Sequence, residues 1–121
     1  MPEFDAEIFL PASRTDLAVL RLTGSLDTYS IPKLEKKIQG LIRDKRHHIV
    51  VNCQNLQFLS SPGMGLFLGT LGEVEKLGGS LVFAKVTQPE VHDAMSLLGF
   101  FDIFPVFEEE WEAVQKSQKG E

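Results

Sequence analysis

Two adjacent serines, Ser60 and Ser61, followed by Pro62, Gly63, Met64 and Gly65, are the residues whose types and spacing invite chemistry. A hydroxyl in such a string can attack as a nucleophile, accept a phosphate, or cap a helix. Attack needs a general base, and the candidates are His47, His48 and His92. The first two share a cationic cluster with Arg43, Lys45 and Arg46 that reads as the solvated end of a helix, and His92 falls in the first turns of another. Paired carboxylates are missing from the expected strand ends, where Asp27 stands alone and Asn52 is neutral. Gly63-Met64-Gly65 lacks the Lys-Ser or Lys-Thr that follows in a phosphate loop. His47 and His48 have no Cys or carboxylate at ligand spacing, so no metal is expected, and no cofactor either. No catalytic residue is assigned and no enzyme is expected. What remains for Ser61 is the cap and the phosphate. It is expected at the N-cap of a helix with Pro62 at the first helical position, where the missing N–H costs nothing. A phosphate there would put about two negative charges where the helix dipole favours anions.

The elements around that string read as alternating strands and helices. Glu7 to Leu10 and Ala18 to Thr23 are expected strands joined by a turn over Pro11 to Asp16, and Gly24-Ser25-Leu26-Asp27 ends the run. Ile31, Leu34, Ile38, Leu41 and Ile42 recur at helical spacing behind the start signals Ser30 and Pro32. Ile49 to Val51 is a short buried strand, broken by Asn52-Cys53-Gln54-Asn55. The helix after Ser61 carries Phe67, Leu71, Val74 and Leu77 on one face and Gly65, Gly69 and Gly72 on another. Each such glycine costs about 1 kcal/mol of helix propensity, so close packing against a sheet or a partner is expected there. Leu81 to Ala84 is a further strand, Thr87 and Glu90 form a capping box, Phe101 to Phe104 is a last strand, and Phe107, Trp111 and Val114 line a final helix.

With 121 residues, 43% of them hydrophobic, the chain suits one domain that buries its core without disulfides; Cys53 has no second cysteine to pair with. The net charge of −5 argues against a nucleic-acid surface. No apolar run reaches bilayer length and the first residues, Met1 to Asp5, are acidic where a signal peptide is basic, so no membrane insertion and a cytoplasmic location are expected. The expected architecture is α/β: one domain over residues 1–121, a central mixed sheet of four to five strands with about four helices mostly on one side, and a tail fraying over about 115–121.

The strings Gly24-Ser25-Leu26-Asp27 and Ser60-Ser61-Pro62-Gly63-Met64-Gly65, in this order of elements, resemble the STAS domain family of bacterial anti-sigma-factor antagonists. In that family an Asp-Ser-Ser-Gly-Leu-Gly string opens the second helix, and its first serine is phosphorylated by a partner serine kinase. The resemblance puts that serine on Ser61, with Ser60 as the alternative, and Gly63, Met64 and Gly65 on the Gly-Leu-Gly. The family's aspartate before the serine is Ser60 here, its second serine is Pro62, and an aspartate of the central strand is Asn52. The function implied is a non-catalytic module that docks an anti-sigma factor of the serine-kinase type through Asp27 and Ser60 to Gly65, switched off by phosphorylation of Ser61. The alternatives are a constitutive, unphosphorylated subunit of a larger assembly, in a stressosome or beside a transporter, and a domain that binds a nucleotide or small anion. Oligomeric state, a homodimer included, is left open.

Overall fold

A computed structural model of the chain describes residues 3–117. Its strands are β1 (Asp5–Phe9), β2 (Leu17–Leu26), β3 (His48–Leu59), β4 (Ser80–Ala84) and β5 (Val106–Phe107). Its helices are α1 (Ile31–Arg43), α2 (Ser61–Lys76), α3 (Pro89–Leu97) and α4 (Glu110–Lys116), with a 3-10 turn at Phe100–Asp102. The sheet is mixed, in the order β1-β2-β3-β4-β5: β1 is antiparallel to β2, and every other pair is parallel. The run Ile49 to Val51 lies on the central strand and is fully buried, because helices cover both faces of the sheet there.

On one face α1 contributes Leu34, Ile38 and Leu41, α2 contributes Phe67 and Val74, and α3 contributes Val91 and Met95, over Leu20, Ile49, Val51 and Phe83 of the strands. Phe83 is the hub of this layer, with edge-on rings of Phe67, Phe100 and Phe104 at centroid distances of 4.9, 4.6 and 5.1 Å. On the other face, among the described residues, α4 is the one helix that packs, through Ala113, against Leu17, Val19, Val50, Val82 and Ala84. Glu110 fixes its start, accepting two bonds from Arg21 at 2.9 and 2.8 Å and one from Asn52 at 2.9 Å.

The expected break at Asn52–Asn55 is absent, and the polar residues are absorbed by a bulge. Between Arg21 and Thr23 of β2 the register of β3 advances from Asn52 to Asn55, and Asn52 Oδ1 accepts from the N–H of Gln54 at 2.9 Å. A local side-chain bond that replaces a ladder bond lets polar residues stay in the strand. A second shift falls at Gly24, whose φ of 87° is left-handed, and β2 continues beyond it to Leu26.

Five further expectations are corrected. Phe101 to Phe104 is no strand: Phe100 and Phe104, four apart on a turn that opens at Gly99, supply the buried rings, and the two-residue β5 follows Pro105. Trp111 does not line the last helix on its buried side; it is 67% exposed. Thr87 and Glu90 form no capping box, because the N-cap is Gln88 and makes no side-chain bond. His48 is not a solvated helix end. It opens β3, is buried, and shares a 2.8 Å hydrogen bond between Nδ1 and Ser80 Oγ. Gln115 and Lys116, placed in the expected frayed tail, belong to α4, and Ser117 is buried; residues 118–121 lie outside the described part. At the sheet's first edge, Lys33 and Lys37 of α1 donate to the carbonyls of Phe4 and Ala6.

Candidate docking surface at the start of the second helix

The parallel pair β2–β3 ends with Leu26 opposite Leu59, and the Ser60 N–H then donates to the Leu26 carbonyl at 3.0 Å. That bond ties the turn leaving β2 to the turn entering α2. In the first turn of α2 the order of the two serines is corrected. Ser60, with extended backbone, is the N-cap, and its Oγ accepts from the Gly63 N–H at 3.2 Å. Ser61 is the first helical residue and Pro62 the second, both exposed. Spacing does not decide between them, since Ser61 has the N–H groups of Gly63 and Met64 two and three residues ahead; the backbone does, extended at Ser60 and already helical at Ser61. The Ser61 hydroxyl therefore takes no part in the cap.

Gly63 and Met64 are buried beneath this surface, not presented on it. A Cβ on Gly63 would stand 2.9 Å from Leu59 Cδ1 and 3.2 Å from Leu26 Cγ, so glycine is what lets α2 start so close to the strand ends. Gly65, Gly69 and Gly72 differ: a Cβ on any of them would meet nothing within 4 Å, and all three are exposed. The expected packing of this glycine face on the sheet is thus absent, and the face is open. Leu68 beside it is 42% exposed and Phe58, just before the turn, 45%.

Asp27 is half-buried, and its carboxylate is committed to its own loop. Oδ1 accepts from the N–H groups of Tyr29 and Ser30 at 3.0 and 3.2 Å, and Ser30 Oγ donates to the Ser25 carbonyl at 2.7 Å. As an anion site the start of α2 is poor. Pro62 has no N–H, that of Gly63 is taken by Ser60 Oγ, and that of Met64 by the Ser60 carbonyl at 3.1 Å. No cluster of three or more metal-ligating side chains occurs among the described residues.

A model of the STAS domain matches residues 11–113. The chain belongs to the STAS domain family. Among curated relatives, the anti-sigma F factor antagonist of Paenibacillus polymyxa is 31% identical over 97 residues, 79% of this chain and 82% of the relative. The anti-sigma-B factor antagonist of Staphylococcus epidermidis is 28% identical over 93 residues, 77% of this chain and 85% of its own. Among solved structures, an anti-sigma factor antagonist from Mycobacterium paratuberculosis superposes with a TM-score of 0.79 at 20% identity, covering 95% of this chain and 94% of that one. The antagonist SpoIIAA in its unphosphorylated form gives 0.69 at 24% identity, covering 94% and 96%. This STAS domain thus has the SpoIIAA-like fold, and no helix among its described residues is long and apolar enough to cross a membrane.

What sequence reading missed is the role of Ser60 as the cap, and the chain carries no signal for it, since Ser61 too has N–H groups two and three residues ahead, on Gly63 and Met64.

Proposed function

We propose that this chain is an anti-sigma-factor antagonist, a non-catalytic module that docks an anti-sigma factor of the serine-kinase type and is released by phosphorylation of Ser61. The observation that carries the reading is the division of labour between the serines. Ser60 caps α2, and Ser61 stands exposed at its first position, where a kinase can reach the hydroxyl without unmaking the helix. The docking surface comprises Ser61, Pro62, Gly65 and the open glycine face beyond it, flanked by the Asp27 loop. Buried Gly63 and Met64 shape this surface from below. A phosphate on Ser61 would bring about two negative charges into the interface, and a dianion desolvated without an arginine partner costs several kcal/mol, enough to change affinity by orders of magnitude. Relatives named as anti-sigma factor antagonists support this choice of partner.

Ser60 and Pro62, neutral where the family string carries an aspartate and a second serine, favour a second reading: a constitutive subunit that keeps the surface and lacks the switch. Intact mass after incubation with the serine-kinase-type anti-sigma factor of the same genome and ATP, followed by fragment mapping, separates the two. One phosphate on Ser61, and loss of binding in Ser61→Asp, is the expected result. No phosphate, with Ser61→Asp binding normally, would leave the constitutive subunit.

A further inference from the structure

Tyr29 is the most exposed of the large apolar side chains among the described residues, at 94%, yet the backbone that carries it is held by several hydrogen bonds. Its own N–H goes to Asp27 Oδ1, and the N–H groups of Ser30 and Ile31 go to the Asp27 carbonyl at 3.1 and 2.9 Å. Ser30 Oγ accepts from the Asp27 N–H at 2.9 Å while donating to the Ser25 carbonyl. Four residues are thus fixed by a net of short bonds whose visible product is one phenol ring held out in solvent. Beside it lies a depression of about 390 Å³ lined by Phe4, Ser25, Asp27, Tyr29, Ser30 and Lys33. The same loop adjoins the start of α2 through the bond from Ser60 N–H to the Leu26 carbonyl.

We infer that Tyr29 is an anchor residue for the anti-sigma factor, inserting its ring into an apolar cup with a polar rim on that partner; the inference rests on the reading under Proposed function. An exposed aromatic on an ordered loop has two side-chain torsions to freeze and no main-chain ordering to supply, so most of the apolar area it buries on docking appears as affinity. Tyrosine is also enriched among the few residues that dominate interfaces, because its ring is apolar and its hydroxyl finds a partner at the rim. In this arrangement the Asp27 carboxylate is a positioning group. It holds the main chain that carries the ring, through the Tyr29 N–H.

The test measures the affinity of the purified anti-sigma factor of the same genome for the unaltered chain, Tyr29→Ala and Ser61→Asp, with thermal unfolding of each. Tyr29→Ala is expected to bind about 30-fold more weakly, the loss typical of an anchor, with an unchanged unfolding midpoint because the ring touches so little of its own fold. Tyr29→Ala binding within twofold of the unaltered chain, while Ser61→Asp binds poorly, overturns the inference and leaves the docking surface standing. Both variants binding normally overturns the docking reading and the inference with it.

Discussion

Replacing Gly65, Gly69 and Gly72 together by alanine should make the domain more stable and a poorer binder. No Cβ added at these positions meets another atom within 4 Å, so the substitutions carry no steric cost inside the fold. Each recovers about 1 kcal/mol of helix propensity, and allowing for imperfect additivity of neighbours on one face the three give about 2–3 kcal/mol. With 121 residues and an unfolding entropy of about 2.1 cal/mol/K per residue, that gain raises the melting midpoint by about 8–12 °C. Calorimetry or a circular-dichroism melt of α2 measures it directly. If the bare face is kept so that a partner can approach the backbone, three methyl groups should cost more than tenfold in affinity for the anti-sigma factor. A midpoint that fails to rise would refute the exposure of this face. A midpoint that rises with binding untouched would refute its place in the docking surface.

The serines give a second contrast: Ser60→Ala should lose about 1 kcal/mol with its cap bond, about 4 °C in the melt, whereas Ser61→Ala should move it by less than about 2 °C. Ser60→Asp should restore the cap, since aspartate caps as well as serine and its charge suits the helix start. The thiol of Cys53, pushed up to about 12 by burial, should resist iodoacetamide in the native protein at pH 8 and react fully in denaturant, as read by mass. Asp16 is held at about 2, below its ordinary 3.8, chiefly by the Arg14 guanidinium, whose Nε lies 2.9 Å from Oδ1. The stability this adds is complete above the ordinary value and is lost as pH falls through the range from about 4 to about 2. Asp16→Asn should therefore flatten the acid limb of the stability curve over that range.

The order of elements was legible because the apolar runs and stripes have distinct periods: Ile49 to Val51 is too short for a helix, and Leu34, Ile38 and Leu41 recur at helical spacing. What period could not convey is where a chain bonds to itself. Asn52 looks like a strand breaker until Glu110, 58 residues away in sequence, takes its amide. Phe101 to Phe104 reads as a strand because an apolar run does not reveal that Phe100 and Phe104 turn their rings onto Phe83. Within the proposed docking surface, Ser61 is singled out by a family string, but the choice of cap turns on where the backbone becomes helical, which the string does not show. The glycine face was legible as a cost in helix propensity. That it faces solvent became visible only when the sheet was seen to lie against Phe67 and Val74 instead.

The two lysines that cover carbonyls of Phe4 and Ala6 bear on what this domain does in company. A sheet's outer strand is an open template, and β1, with Ile8 and Phe9 exposed and Leu10 exposed just beyond it, would otherwise offer an attractive one. Ammonium groups on the Ala6 acceptor of β1 and on that of Phe4 just before it oppose recruitment of a further strand, and at the opposite border β5 is only two residues long. Growth of crowded copies of this domain into a continuous ribbon is thus opposed at both borders of its sheet.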